Sequence, residues 1–453
     1  MPDTPEPVVA LVDFSQLVED YLDNIGVSLD GFLGEMTGGW MFGYIAALRM
    51  AGVRTMLVLV SARVSAPERR RHAATGADVW VLPAPRAYRF ARRRVLNPYA
   101  STLEEACGDV RGAQRVFCAA QRELAPYLST PLTHLARILR RERCRAVLCQ
   151  DYEHGRFDAC LLLGRALGLP VFATFQGGDT SIGGLERFAR GRALRACDGV
   201  VIAARREAER VTTQYGVRPE KIARVFNPLE LDDWRPPTAS ERAAAREALS
   251  IPADARVAAW HGRVLMELKG LDVLLEAWDR VVRERPGRAL RLLLVGTGND
   301  REVLRRRVAG RDDVVWVDEF VRDRARLRGL LAAADVWTLP SRREGFPVAP
   351  LEAMACALPV VATDVAGVGD ILEDGEGSGG VVVPRADAAV LAGALGRLLD
   401  DPELARATGA RARERVERAF SPEAVGTQLR RFLLREGDAE VNPTAARASH
   451  LPT

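Results

Sequence analysis

The chain has 453 residues, which is too long for one ordinary hydrophobic core and predicts two domains. Its apolar content of 48% and formal net charge of +4 with histidine neutral are typical of a soluble globular protein and exclude a chain that is disordered throughout. The seven cysteines are scattered, odd in number and without a CxxC pair, so they indicate neither a disulfide framework nor a zinc site and favour a reducing compartment.

The first half of the chain alternates apolar strand-like runs with helical segments, the pattern of parallel α/β layers. It has no basic leader with an apolar core, and no run of about 20 apolar residues occurs, which predicts a cytoplasmic protein without a membrane span. The connection at 227–237 ends a first Rossmann-like domain, predicted as residues 1–235. Its strands are predicted at residues 8–13, 56–60, 79–82, 146–149, 171–175, 199–203 and 222–226.

The second half restarts the same pattern and is predicted to form a second Rossmann-like domain over residues 236–415. Ser240 is the expected N-cap of its first helix. A C-terminal helix at 416–437, capped by Ser421, is predicted to pack back on the first domain, and the polar tail 438–453 is predicted to be disordered. Further elements are expected as strands at 257–260 and 314–317, a strand ending in a glycine loop over 290–298, and helices at 271–283 and 324–334.

Two glutamates, Glu344 and Glu352, lie on either side of a predicted strand-to-helix junction. The apolar run 334–339 reads as a buried strand, and Pro347 suits the first position of a helix, which places Glu352 in about its second turn. Such a helix N-terminus would face phosphate between the two acids, one meeting a sugar and the other a ribose. The alternative is the acid and nucleophile pair of a glycosidase.

Two cations, Arg263 and Lys269, lie six residues apart in another predicted strand-to-helix loop, between Gly262 and Gly270. Fixed cations at such a loop would offset the negative charge that grows on a departing nucleoside diphosphate. An isolated pair of this kind would be interpreted as ordinary surface cations. Its position upstream of the two glutamates favours a functional role.

The segments EGFPVAPLEAMACALPVVATDVAGVGDIL and HGRVLMELKGLDVLLEAW resemble the carboxylate-pair and phosphate-binding motifs of the family 4 glycosyltransferases, or glycosyl transferases group 1. These are retaining enzymes of the GT-B fold, an α/β architecture in which two Rossmann-like parallel-sheet domains face a central cleft. The likeness covers about residues 200–420. A weaker likeness precedes this range and begins at Gly38. It implies a retaining hexosyltransferase that uses a nucleotide-diphosphate sugar and a sugar, lipid-linked or small-molecule acceptor.

The resemblance also implies roles for individual residues. Glu344, Arg263 and Lys269 would act on the reacting centre and the leaving diphosphate, and Glu352 would hold the ribose hydroxyls. Backbone N–H groups of Gly345, Phe346 and Val348 would donate to sugar or phosphate, whereas Pro347 has none. The remaining donor-binding positions that it implies are Gly38, Gly39, Gly296, Gly298, Glu319, Phe320 and Val321.

On the acceptor side the chain departs from the family pattern. Many relatives carry a histidine after the strand that is predicted here at 171–175, where this chain has Gln176. Glutamine bonds a sugar hydroxyl but does not exchange a proton near neutral pH, so a histidine base is excluded at this position. Gln176, Asp179 and His154 remain acceptor-side candidates, with a structural turn and a structural histidine as the alternatives. Because protein cations serve the diphosphate and no DxD site is evident, neither a metal nor a resident cofactor is expected.

The stretch from residue 69 to 145 holds sixteen arginines and six acidic residues. The segment RAYRFARRRVL within it fits peripheral contact with an anionic membrane, at the inner membrane face, or with a phosphorylated lipid acceptor. A solvated arginine-rich face is the alternative. No nucleic-acid-binding module accompanies it, so nucleic acid is not expected as a partner.

Two other functions stay open for a chain of this pattern. One is a related GT-B enzyme that acts on the nucleotide sugar itself, an epimerase or a phosphorylase. The other is a catalytically silent GT-B subunit that binds a partner, against which the intact set of charged residues argues.

Overall fold

The computed structural model describes residues 6–13, 15–24, 26–34, 40–92, 108, 111–175, 184–321 and 323–436. The described residues divide into two compact units. Unit 1 comprises those within Met1–Ile202, Glu207–Val225 and Val425–Thr453, and unit 2 comprises Ala203–Arg206 and those within Phe226–Ala424. The predicted tail 438–453 lies outside the described residues. Each unit is an α/β layer structure built on one sheet.

The sheet of unit 1 has eight strands in the order β3-β4-β2-β1-β5-β6-β7-β8. All of its pairings are parallel except that of the edge strand β3 with β4. The strands are β1 Val8–Val12, β2 Arg54–Ser61, β3 Glu68–Arg71, β4 Asp78–Pro83, β5 Cys144–Cys149, β6 Val171–Phe175, β7 Gly199–Ile202 and β8 Ile222–Ala223. The accompanying helices are Val18–Asn24, Leu29–Gly34, Trp40–Met50, Arg86–Arg92, Ala113–Leu128, Leu132–Arg141, Gly155–Leu167, Gly184–Ala196, Arg205–Tyr215 and a 3₁₀ turn at Pro219–Lys221.

The sheet of unit 2 has six parallel strands in the order β11-β10-β9-β12-β13-β14. They are β9 Arg256–His261, β10 Leu290–Val295, β11 Val314–Val317, β12 Val336–Leu339, β13 Val360–Thr363 and β14 Gly380–Val383. The helices are Ala239–Ala248, Leu271–Arg283, Arg301–Val308, Arg324–Leu331, Ala349–Ala355, Val368–Ile371, Ala388–Asp400, Pro402–Ala419 and Pro422–Leu434, with a 3₁₀ turn at Gly375–Ser378. The strand order is that of a doubly wound Rossmann sheet.

Both sheets are covered on both faces, and β9 shows how the sequence produces this. Side chains alternate along a strand, so Val257 and Ala259 enter one core cluster while Ala258 and Trp260 enter the other. A strand buried on both sides needs a continuous apolar run rather than an alternating one. The predicted parallel α/β architecture is confirmed. The predicted strand at 314–317 is confirmed as well, as β11.

Three strands escaped the sequence analysis. The edge strand β3 has the sequence ERRR, and its charged side chains carry no apolar signal. Such charges are typical of an edge, because they discourage pairing with another chain. The strands β13 and β14, of four residues each, were also missed.

The first helix of unit 2 is capped by Thr238, so the predicted N-cap at Ser240 is wrong. The Thr238 hydroxyl accepts from the Glu241 N–H, and the Glu241 carboxylate accepts from the Thr238 N–H. This reciprocal capping box satisfies two backbone donors, whereas Ser240 lies inside the first turn and bonds only to the Thr238 hydroxyl.

The last helix, Pro422–Leu434, begins in unit 2 and continues in unit 1. Ser421 caps it as predicted, accepting from the Ala424 N–H at 3.3 Å. Val425, Leu429 and Leu433 are buried in the core of unit 1. Within the described ranges, every helix is too short or too polar to cross a bilayer.

Candidate functional site

The candidate site of unit 2 lies at the topological switch point of its sheet, where the strand order reverses. The central strands β9 and β12 are hydrogen-bonded neighbours, yet the chain continues from β9 toward β10 on one side and from β12 toward β13 on the other. The carboxyl ends of two such strands are the usual ligand position in sheets of this kind. One loop carries Arg263 and Lys269, and the other carries Glu344.

Glycines hold the cation loop against its neighbour. The Gly262 N–H donates to Val295 O, and a Cβ on Gly296 would lie 1.9 Å from Gly262 O. A Cβ on Gly298 would lie 2.4 Å from Val264 O. The structure thus brings the predicted Gly296 and Gly298 beside the cation loop, where a side chain at either position would push that loop away.

Lys269 and Glu344 form an ion pair. The Lys269 Nζ lies 2.7 Å from Glu344 Oε1, and the Ser341 hydroxyl donates to the same oxygen at 2.7 Å. Gly270 makes this approach possible, because its φ of +63° favours glycine and a Cβ there would lie 1.9 Å from Pro340 O. Among the described residues no donor contacts Glu344 Oε2, which leaves that oxygen for a ligand.

Arg263 is exposed, and no described residue accepts a hydrogen bond from its guanidinium. The second loop is held to the cation loop and to the helix after it by Arg342, which makes two 2.7 Å bonds to the Asp272 carboxylate and one to Glu267 O. A bidentate arginine–carboxylate pair fixes orientation as well as distance. The two loops are therefore tied together while Arg263 keeps its donors for a ligand.

Glu352 lies in the first turn of helix Ala349–Ala355, so the predicted helix start at Pro347 and the second-turn position are wrong. Val348 precedes the helix with near-helical dihedral angles, and Pro350 rather than Pro347 occupies its first turn. The Glu352 carboxylate bonds to His261 at 2.8 Å between Oε2 and Nε2. The backbone N–H groups of Gly345, Phe346 and Val348 just before the helix find no acceptor within the described chain.

The predicted donor-binding positions Glu319, Phe320 and Val321 differ from one another in their surroundings. The Glu319 carboxylate makes two hydrogen bonds to Arg326, at 2.5 and 2.6 Å. Phe320 is exposed, and Val321 packs against the core. The ring of Phe346 is buried and stacks on that of Phe226, with the ring centroids 5.4 Å apart.

In unit 1 the topological switch point lies between β1 and β5. A cluster of buried polar residues follows β5. Asp151 has a φ of +57°, and burial raises its pKa to about 7. Burial, with the nearby charges of Arg190 and Arg156, lowers the pKa of His154 to about 4. His154 is therefore neutral at neutral pH. The candidates Gly38, Gly39, Gln176 and Asp179 lie outside the described residues.

The sequence analysis missed four residues of these sites. His261 is the last residue of β9, at a strand end where functional groups concentrate, and that position was the available signal. Asp151 likewise follows β5. Trp337 lies inside a strand, and Ser341 has no distinctive neighbour, so nothing in the sequence marked either of them.

Comparison with known proteins gives consistent matches to both halves. The family described as Glycosyl transferases group 1 matches residues 255–401, and the one described as Glycosyltransferase Family 4 matches residues 46–233. The D-inositol 3-phosphate glycosyltransferase of Acidothermus cellulolyticus is 30% identical over 406 residues, covering 74% of this chain and 88% of that protein. The enzyme of the same name from Kineococcus radiotolerans is 37% identical over 239 residues, covering 49% of this chain and 54% of that protein. The chain thus spans about half the length of that second relative.

Solved structures resemble the whole chain at low sequence identity. Anabaena HepE in complex with UDP has a TM-score of 0.64 at 14% identity, covering 93% of this chain and 98% of that one. The sucrose-phosphate synthase of Thermosynechococcus elongatus has a TM-score of 0.60 at 20% identity, covering 93% and 97%. At these identities the likeness concerns the fold alone.

Proposed function

The chain belongs to the family 4 glycosyltransferases of the GT-B fold, and from that premise we propose that it moves a hexose-type sugar from a nucleotide-diphosphate donor to an acceptor hydroxyl. The observation that carries the proposal is the 2.7 Å ion pair of Lys269 and Glu344, with Arg263 exposed on the same loop as Lys269 and bonded to no acceptor among the described residues. Cations and a carboxylate at one strand edge suit a ligand that holds a diphosphate next to hydroxyl groups.

The donor diphosphate would be bound by Arg263, Lys269 and the N–H groups of Gly345, Phe346 and Val348. As the bond from the sugar C1 to the diphosphate oxygen breaks, negative charge grows on that oxygen, and fixed cations stabilise it without reorganisation. Glu344 would contact the sugar through Oε2, and Glu352 would accept from the ribose hydroxyls. UDP and UDP-glucose in the HepE complexes make uridine diphosphate sugars the first donors to test.

We propose retention of configuration at C1. The acceptor oxygen forms its bond to C1 on the face that the diphosphate leaves, and the acceptor proton passes to the departing diphosphate oxygen. A histidine base is then unnecessary, which agrees with Gln176 in the sequence and with a neutral His154 of pKa about 4. The two protein cations serve the diphosphate, so the reaction is proposed to be independent of metal.

The acceptor is proposed to bind unit 1, and D-inositol 3-phosphate, named for the relatives, is the first compound to test. Gln176, Asp179 and His154 are the acceptor-side candidates.

The six cysteines in the described part of the chain are free thiols, which supports a cytoplasmic location.

A peripheral membrane contact is a second proposal, carried by helices Arg86–Arg92 and Ala113–Leu128. They expose Phe90 by 67%, Val116 by 72% and Phe117 by 46%, and Arg86 and Arg89 are exposed beside them. Apolar side chains flanked by arginines suit an anionic lipid surface. Vesicles of phosphatidylglycerol should sediment the protein at low salt and those of phosphatidylcholine should not; equal sedimentation would contradict the contact.

The donor proposal is tested by thermal denaturation with a panel of nucleoside diphosphates and nucleotide sugars. A ligand of the native state raises the melting temperature according to its concentration and affinity. Stabilisation by one diphosphate, followed by transfer with retained anomeric configuration in proton NMR and undiminished activity in EDTA, supports the proposal. Conversion of the donor alone would indicate an epimerase, phosphorolysis would indicate a phosphorylase, and no stabilisation by any member would favour a silent subunit.

A further inference from the structure

A buried chain of three side chains runs from the core of unit 2 to Glu352. The Trp337 indole Nε1 lies 2.9 Å from His261 Nδ1, and His261 Nε2 lies 2.8 Å from Glu352 Oε2. Trp337 is fully buried and His261 is 7% exposed, whereas the Glu352 side chain is 21% exposed. Only the carboxylate end of the chain therefore reaches solvent.

The fold brings these three groups to one face of the sheet. Trp337 on β12 pairs with Ala259 on β9, and His261 follows Ala259 by two residues. Because side chains alternate along a strand, His261 shares the face of Ala259, and Leu351 of the helix that carries Glu352 packs into the same core cluster.

The chemistry of the donors and acceptors fixes the direction of both hydrogen bonds, from Trp337 to His261 and from His261 to Glu352. The indole N–H is only a donor, so His261 Nδ1 must accept and the imidazole proton must be on Nε2. His261 then donates to Glu352. A doubly protonated imidazole would place an N–H against the Trp337 N–H, so this arrangement holds the neutral ring in one tautomer and one orientation.

Glu352 is left with directed capacity for a ligand. One lone pair of Oε2 accepts from His261, and no described donor contacts Oε1. A carboxylate accepts at about four lone-pair sites, so enough remain for two neighbouring hydroxyls. Without His261 the carboxylate would rotate about its side-chain torsions and lose this alignment.

We propose that His261 is a positioning residue that orients Glu352 toward the vicinal hydroxyls of the donor ribose, and that Trp337 locks the tautomer of His261. This inference rests on the proposed function, because it requires a ribonucleotide donor.

The test compares a ribonucleotide with its dideoxy form. Calorimetric titrations use the nucleoside diphosphate that most stabilises the wild type, beginning with UDP, and the matching 2′,3′-dideoxynucleoside diphosphate. His261→Leu should weaken ribonucleotide binding about tenfold, the usual size of one charge-assisted hydrogen bond. It should leave dideoxynucleotide binding within about twofold, and His261→Gln, whose amide still donates, should recover most of the loss.

Trp337→Phe is a second arm that does not change His261. It should weaken ribonucleotide binding more than dideoxynucleotide binding. Its matched control is Trp278→Phe, which removes an indole N–H that donates to Asp313 at 2.9 Å elsewhere in unit 2 and should leave the ratio of the two affinities unchanged.

The outcomes separate this inference from the proposed function. Equal losses for both ligands in the His261 and Trp337 variants would assign these residues a purely structural role and overturn the inference. Unchanged binding of both ligands would overturn it as well. A wild-type protein that binds no nucleoside diphosphate would instead overturn the proposed function, on which the inference depends.

Discussion

Glu344 and Glu352 are both glutamates at one edge of one sheet, yet their partners differ. An ammonium and a hydroxyl contact Glu344, whereas an imidazole contacts Glu352. The sequence indicated that both acids belong to one site, because their spacing and the nearby cations are visible in it. Their partners were not predictable. His261 reaches Glu352 from a separate strand, and Ser341 reaches Glu344 through a loop conformation that the sequence does not specify.

Lys269 is one of two lysines in the chain, the other being Lys221. Its ammonium is a compact charge that contacts Glu344 and, in the proposed reaction, the leaving diphosphate. Lys269→Met should lower kcat by about 10²- to 10³-fold, as expected for loss of one group that stabilises developing charge. Lys221→Met, which removes an ammonium bonded only to backbone carbonyls of unit 1, is the control for steady-state kinetics. Equal kcat values in the two variants would contradict the role of Lys269.

Asp151 predicts a specific dependence of stability on pH. Its pKa is about 7 in the folded protein and near 3.8 in an unfolded chain, so the folded state binds more protons between these values and stability falls as pH rises through that window. His154, with a pKa lowered to about 4, acts in the opposite direction between about pH 4 and 6.5.

Asp151→Asn isolates the aspartate contribution, since asparagine tolerates the positive φ and still accepts from the Glu153 N–H. The difference in free energy of unfolding, variant minus wild type, should grow by roughly 2–4 kcal/mol as the pH rises from 4 to 7.5. Urea unfolding at several pH values measures this, with the exposed Asp30→Asn as control. A difference that does not grow with pH would show that Asp151 is not a buried acid of raised pKa.

At the scale of elements, most strands follow from apolar runs, and helices such as Leu271–Arg283 follow from helical periodicity. Helix Leu271–Arg283 has the predicted bounds, because its apolar face is regular and a glycine precedes it. Boundaries failed where two cues competed, as at Pro347 and Pro350, both of which suit a first turn. The contacts that bring one strand-end loop against the next were also hidden, since they depend on close approach of backbones.

Gly270 tests that close approach. Gly270→Ala should destabilise unit 2 by roughly 3 kcal/mol or more, because a left-handed φ costs about 1–2 kcal/mol and the new Cβ also meets Pro340 O. Gly287→Ala is the matched control, with a φ of +80° and nothing within 4 Å of its Cβ. Thermal melts should separate the two variants. Equal melting temperatures would show that the loop moves freely away from Pro340.

At the scale of the whole molecule, two similar α/β units share one chain that returns to the first unit at its end. The length of the chain indicated two domains, and a C-terminal helix capped by Ser421 was predicted. Its three buried side chains in the core of unit 1, Val425, Leu429 and Leu433, are long-range contacts. Residues so far apart in the sequence give no local signal of their contact.

Leu429→Ala should therefore destabilise unit 1, although residue 429 follows unit 2 in the sequence. A fully buried leucine reduced to alanine costs about 2–5 kcal/mol in free energy of unfolding. Leu162→Ala, at a position of unit 1 that is 66% exposed, should cost less than about 0.5 kcal/mol. Hydrogen exchange of β1 and β2 reports the effect within unit 1. Unchanged protection in Leu429→Ala would mean that the last helix contributes little to that core.

The central claim is that unit 2 binds the diphosphate of a nucleotide sugar through the loop that carries Arg263 and Lys269. Calorimetric titration with UDP and with uridine tests it most directly, in the wild type, in Arg263→Gln and in the control Arg306→Gln, which removes an exposed arginine from helix Arg301–Val308. The account predicts that Arg263→Gln weakens UDP binding about tenfold or more and leaves uridine binding unchanged, while Arg306→Gln matches the wild type. Equal UDP affinity in all three proteins, or no binding of UDP or any other nucleoside diphosphate, would contradict it.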